Sequence, residues 1–356
     1  MLREQGYRAN PACTVPALPR GASRSDQVTD ISTVDAGPLL PAQGSGRPSY
    51  QIEIEHLTKR YGRRAVVDDL TFTVQPGRVT GFLGPNGSGK STTMKILLGL
   101  ASATEGKATI GGQFYRDLRD PAGTVGVLIE QDSFHPGRSG RDHLQILSDV
   151  AGVGAARVSE ILSLVGLKGD DARRHVGTYS LGMRQRLSLA AALLCDPPVL
   201  VLDEPGNGLD PQGVRTLRNL LRARAANGDT VLVSSHALAE AEHLVDDLVV
   251  IDQGRLVTTG SMHDLRQAAS LVRTTSPTQL RDILETAGAV ATLQGTDSLI
   301  VSGLPIDEIG ERAFAAGIVV HELSTHAGSL EDLFLAWTGG RVTDEALSGG
   351  DEVMHL

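Results

Sequence analysis

Residues 84–92 read Gly-Pro-Asn-Gly-Ser-Gly-Lys-Ser-Thr, the stretch with the most explicit chemistry in the chain. Gly84, Gly87 and Gly89 allow backbone conformations that a Cβ forbids, so successive N–H groups can point at phosphate oxygens. Lys90 adds a point charge for β- and γ-phosphates, and the Ser91 hydroxyl is an oxygen ligand suited to Mg²⁺. Pro85, Asn86, Ser88 and Thr92 complete the loop. Its flanks agree: Val79-Thr80-Gly81-Phe82-Leu83 reads as a buried strand, and Thr92 to Leu100 as an apolar-periodic helix. Nucleoside triphosphate binding is the reading.

A second acidic and a third basic element follow other apolar strands. Asp203 and Glu204 close the run Val199-Leu200-Val201-Leu202. An Asp at the end of a buried strand beside a phosphate loop can help hold Mg²⁺. Glu204, one residue on, faces the other way and can polarise a water for in-line attack. Ser234-Ser235-His236 follows Thr230-Val231-Leu232-Val233. In open α/β sheets ligands collect beyond the carboxyl ends of the strands, so His236 is placed to reach a γ-phosphate.

These residues need a scaffold that brings strand ends together. Tyr50 to Leu57 alternates as a strand, Leu70–Val74 is a second, and Lys107–Ile110 leads into Gly111-Gly112. Val125–Ile129 is another strand, and residues 140–200 are mainly helical, with apolar spacing over Asp142–Val150 and Arg157–Val165. Val214–Ala226 is a helix, and Val249–Val257 a hairpin turning at Gln253-Gly254. Strands alternating with helices predict a largely parallel α/β core, with an antiparallel sheet from the opening strands beside it. From Ser270 the order becomes strand, helix, strand, strand, helix, strand, the split βαβ arrangement. Ser329–Trp337 then reads as an amphipathic helix, with Leu330, Leu333, Phe334 and Trp337 on one face.

The chain has 356 residues, 21 % charged and 40 % hydrophobic, enough for one or two globular cores. Two cysteines exclude a disulfide framework, and no apolar run reaches 18 residues. Net charge is −9, and residues 271–356 carry thirteen Asp/Glu against four Arg. An acidic C-terminal portion argues against nonspecific nucleic-acid binding, so no nucleic-acid partner is expected. The expected organisation is a disordered extension over 1–50, a nucleotide-binding domain over 51–268 with a helical subdomain near 131–185, an accessory domain over 269–340, and a flexible tail over 341–356.

Tyr179-Ser180-Leu181-Gly182-Met183-Arg184-Gln185-Arg186 resembles the signature motif of ATP-binding cassette (ABC) ATPases, usually Leu-Ser-Gly-Gly-Gln. Ser180 can cap a helix from Leu181 to Leu194, whose N-terminus is an anion site that Gly182 leaves open. The resemblance extends over Gln51 to Leu265. It implies that Tyr61 stacks on adenine, that Asn207-Gly208-Leu209-Asp210 links two sites across a dimer, and that His236 is the switch histidine. It further implies ATP and Mg²⁺ as cofactors and a head-to-tail dimer with a second copy. It places the protein in the cytoplasm, on the inner face of the plasma membrane through an integral membrane permease docked near residues 131–180.

Two departures narrow the resemblance. Ser-Leu-Gly-Met replaces the usual signature residues, and Glu130 stands where the family has a glutamine that contacts Mg²⁺ and the attacking water. Both resemble the exporter ATPases for drugs, bacitracin and lantibiotics, as does Ser329–Phe334. Glu130 is expected to keep the metal and coupling roles, with Gln131 as the alternative. A non-transport ABC ATPase and an importer ATPase subunit are the competing readings. The transported molecule is not written in this chain.

Overall fold

The computed structural model describes residues 48–129, 134–235, 242–262, 264 and 269–325. Three strands form an antiparallel sheet: β1 (Ile52–Tyr61), β2 (Arg64–Val74) and β4 (Glu105–Ile110), in the order β2-β1-β4. The alternation of Ile52 and Ile54 on β1, and of Leu70, Phe72 and Val74 on β2, turns one face inward. The second strand starts six residues before its apolar run, because Gly62 at φ +61 lets the chain reverse directly into Arg64.

The six-stranded central sheet has the order β5-β6-β7-β3-β8-β9. It comprises β3 (Val79–Leu83), β5 (Val125–Leu128), β6 (Val199–Asp203), β7 (Thr230–Ser235), β8 (Asp247–Asp252) and β9 (Arg255–Ser261). The first five in sheet order are parallel, and β9 returns antiparallel through the Gln253-Gly254 turn, with both residues at positive φ. Two consecutive positive φ values give the reversal that suits a twisted hairpin. All five residues of β3 and of β6 are buried. Such runs lack alternation because both faces of a parallel sheet are covered.

The two faces have different covers. Val79, Leu83, Leu200 and Leu202 face a core shared with the helices α3 (Gly140–Ala151), α4 (Ala155–Leu164), α6 (Leu181–Leu193) and α7 (Pro211–Ala226). Phe82, Val199 and Val201 face a core shared with the antiparallel sheet and α1 (Lys90–Leu97). Two four-residue helices, α2 (Pro121–Thr124) and α5 (Asp170–Arg173), were not legible from spacing, being too short to show a period.

A separate core lies in the C-terminal region. Its elements are β10 (Ala269–Thr274), α8 (Pro277–Thr286), β11 (Val290–Gln294), β12 (Ser298–Ser302), α9 (Ile306–Ala315) and β13 (Val320–Thr325). The four strands pair antiparallel in the order β11-β12-β10-β13, the topology of the split βαβ arrangement. The Ser329–Trp337 segment and the tail lie outside the described residues.

An ion-pair cluster fastens the edge of the central sheet where β6 and β7 begin. Arg224, near the end of α7, is 3 % exposed and pairs with Asp229 at 2.5 Å, and it also binds Asp196 and the Pro197 carbonyl. Asp196–Pro197 leads into β6 and Asp229 into β7, so one guanidinium sets how both strands start. Arg224→Met removes the cation that the buried Asp229 carboxylate pairs with. It should cost about 3–5 kcal/mol of unfolding free energy, read from urea denaturation.

Candidate nucleotide site

The opposite edge of the same sheet collects the chemistry. Parallel pairing sets Leu83 beside Ser235 and Asp203 beside Ser234, so β3, β6 and β7 end level. Leu128 at the end of β5 pairs with Leu202, so β5 ends at the same edge. Glu130, Gln131 and His236, the sequence candidates that follow β5 and β7, lie outside the described residues.

The loop after β3 is built on backbone shape. A Cβ on Gly84 would stand 2.4 Å from the Ile251 carbonyl and 2.6 Å from Ser88 Oγ. Gly89 caps α1 at φ +107, and a Cβ there would stand 2.7 Å from the Val66 carbonyl. Gly87 takes φ +79 in open space. Ser88 Oγ is buried with no hydrogen-bond partner among the described residues. Pro85 is half-buried, Asn86 and Ser91 are exposed, and Thr92 is half-buried on α1.

Lys90 opens α1 with its side chain folded into this loop. Nζ donates to the Gly84 carbonyl at 2.6 Å and to the Pro85 carbonyl at 3.2 Å. Burial pushes its pKa below the usual lysine range, against the pull of the Glu204 and Asp203 carboxylates, which raise it. A desolvated ammonium held by neutral carbonyls is a strong site for added negative charge. The orphaned Ser88 hydroxyl and the cradle that any Cβ would fill both fit a bound phosphate group.

Asp203 and Glu204 are held by Ser234. Its Oγ donates to the Asp203 carboxylate and accepts from the Glu204 amide at 3.0 Å. Glu204 takes φ +49, a left-handed conformation that costs a non-glycine residue about 1–3 kcal/mol. Its carbonyl accepts from Gln185 Nε2 at 3.0 Å. Ser234 and Gln185 received no role from sequence reasoning. The only signal for Ser234 was a small polar residue ending an otherwise apolar strand.

The other sequence candidates sit on α6, on the loop before α7 and at the end of β1. Ser180 caps α6 and accepts from the Met183 amide at 3.2 Å. Gly182 and Gly208 pack against each other's turns: a Cβ on Gly182 would stand 2.6 Å from the Gly208 carbonyl, and one on Gly208 2.5 Å from Leu181 Cγ. Asp210 caps α7 and pairs with Arg186 at 3.0 Å, so the signature helix and the Asn207–Asp210 loop form one unit. Tyr61 ends β1, largely exposed, with Lys59 Nζ 4.8 Å from its ring centroid.

Comparison with known proteins agrees with this geometry. Residues 67–207 match the ABC transporter family, and residues 269–331 match a domain of unknown function, DUF8746. An uncharacterised ABC transporter ATP-binding protein of Bacillus subtilis, YhcH, is 35 % identical over 294 residues, covering 81 % of this chain and 96 % of its own. The chain belongs to the ABC transporter ATP-binding family. The bacitracin transport ATP-binding protein BcrA of Enterococcus faecalis is 35 % identical over 300 residues, covering 82 % of this chain and 97 % of its own. A solved ATP-binding subunit of an ABC transporter superposes with a TM-score of 0.56 at 29 % identity, covering 60 % of this chain and 91 % of that one.

As a member of this family the chain is an ATP-binding ATPase subunit with the ABC cassette fold. Its phosphate loop tolerates no added Cβ at two points. Gly84→Ala should reduce ATP binding at least tenfold, measured by fluorescent-nucleotide titration. The clash with the Ile251 backbone cannot be relieved by a side-chain rotation.

Proposed function

We propose that this chain hydrolyses ATP to drive an exporter, working as a head-to-tail pair of copies on a separate integral membrane permease. The observation that carries the reading is the meeting of the phosphate loop, Asp203, Glu204 and Ser234 at one sheet edge. A 13-residue helix capped by Ser180 supplies a second anion-binding end. Among the described residues no helix is long and apolar enough to cross a membrane. The bacitracin transport relative and the departures at Ser180–Met183 and Glu130 support export of a drug, peptide antibiotic or lipid-like molecule.

In this reading the nucleotide-binding domain spans 51–268 and the accessory domain 269–340. Tyr61 stacks on adenine, and Gly84 to Gly89 present backbone N–H groups to the phosphates. Lys90 neutralises the β- and γ-oxygens, and Thr92 supports the loop from α1. Ser91, Asp203 and Glu130 would hold Mg²⁺, which supplies charge neutralisation across the β- and γ-phosphates. Glu204 accepts the proton of the attacking water, and His236 contacts the γ-phosphate. Ser180 and Gly182 close from the second copy. Gln131 takes the Glu130 role if Glu130→Ala leaves permease-stimulated turnover unchanged.

Glu204→Gln keeps the shape of the site but removes the proton acceptor. It should bind ATP and form the ATP-dependent dimer while kcat falls about 10²–10⁴-fold. Size-exclusion chromatography with MgATP and a steady-state ATPase assay read the two halves of that outcome. Near-normal turnover would remove Glu204 from the base role.

A further inference from the structure

Gln185 lies on α6 five residues after Ser180, about 7.5 Å along the helix axis. Its side chain is 1 % exposed. Nε2 donates to the Glu204 carbonyl, while Oε1 is buried with no partner among the described residues. A carbonyl can be met only by the amide nitrogen, so the orientation of this side chain is fixed. Leaving the other half of a buried amide unsatisfied costs about 1–3 kcal/mol. Simple packing would be better served there by an apolar side chain.

Glu204 gives the nitrogen its significance. Its left-handed turn is closed locally by the Asn207 amide, which donates to the Glu204 carbonyl at 3.1 Å, and is held from two other elements: the amide from β7 by Ser234, the carbonyl from α6 by Gln185. Arg186, the next residue of α6, ties the same helix to Asp210 and to the Val165 carbonyl. α6 is therefore one rigid piece with Ser180 at one end and the Glu204 backbone on its flank.

We propose that Gln185 is a positioning residue for Glu204, and that through it the base answers to whatever the Ser180 end of α6 touches. This rests on the reading of Glu204 as the base. In a head-to-tail pair, Ser180 addresses the nucleotide of the second copy, whereas Glu204 serves its own. The bond from Gln185 to the Glu204 carbonyl then links the two nucleotides within one chain, beside the route through residues 207–210. A small rigid shift of α6 moves the donor on the Glu204 carbonyl and so changes the aim of Glu204, because packed elements switch between discrete arrangements rather than deforming continuously.

The test compares ATP turnover of the full chain with that of Gln185→Leu, Gln185→Glu and Glu204→Gln. Gln185→Leu keeps the volume and removes the donor. Its kcat should fall 10- to 100-fold, with KM for ATP within twofold and MgATP-driven dimerisation retained. Gln185→Glu should recover turnover relative to wild type as pH falls. Burial raises that carboxyl's pKa, and only the neutral acid can donate to the Glu204 carbonyl. A Gln185→Leu kcat within twofold of wild type overturns the proposal. So does a joint loss of dimerisation and melting temperature in Gln185→Leu with no pH recovery in Gln185→Glu, which marks structural support alone. Near-normal turnover of Glu204→Gln removes the base reading itself, and it is seen without any change at Gln185.

Discussion

The Ser234 hydroxyl donates to the Asp203 carboxylate and accepts from the Glu204 amide, so one group touches both acidic residues. It can do so because β6 and β7 run parallel with Asp203 directly beside Ser234. The same pairing continues into β3, which ends level with Ser235 and passes straight into the phosphate loop. Parallel strands end at a common edge, so groups more than a hundred residues apart in the chain meet within one site.

The level edge depends on what is fixed behind it. Each strand is buried on both faces, one against the α3–α7 helices and the other against α1 and the antiparallel sheet. Sliding a strand by one residue would exchange Leu200 and Leu202 with Val199 and Val201 between those cores. Close packing on both faces forbids that. At the far edge, Arg224 binds the segments that start β6 and β7 and so fixes their common origin. Register at one end is therefore chemistry at the other.

Burial also sets the electrostatics. Lys90 sits among backbone carbonyls with its ammonium desolvated, and the nearby carboxylates only partly offset that cost. A phosphate group would meet a cation already stripped of water, where its charge counts for more than at an open surface. The signature helix contributes differently. Its capped N-terminus offers amides at a surface of the chain, and its flank reaches back to the Glu204 carbonyl.

Much of this was legible in the residues. The glycines at 84, 87 and 89 suit a loop that needs positive φ or close backbone approach, and here Gly84 shows the close approach, Gly87 the positive φ and Gly89 both. The continuous apolar runs before Asp203 and Ser234 announced buried parallel strands, and the C-terminal alternation announced its four-stranded sheet. Ser180 is a recognisable cap because a cap is a local bond spanning three residues. The roles of Ser234, Gln185 and Arg224 were not legible. Their partners are 19 to 31 residues away or on other elements, and a serine, a glutamine or an arginine carries no mark of its partner until packing supplies one. Sequence alone determined which groups the chain carries and the local shape of each loop and cap, since those depend on bonds within a few residues. Tertiary structure alone decided which groups share an edge and which backbone strain is held, because register and burial arise only when distant segments close around a common core.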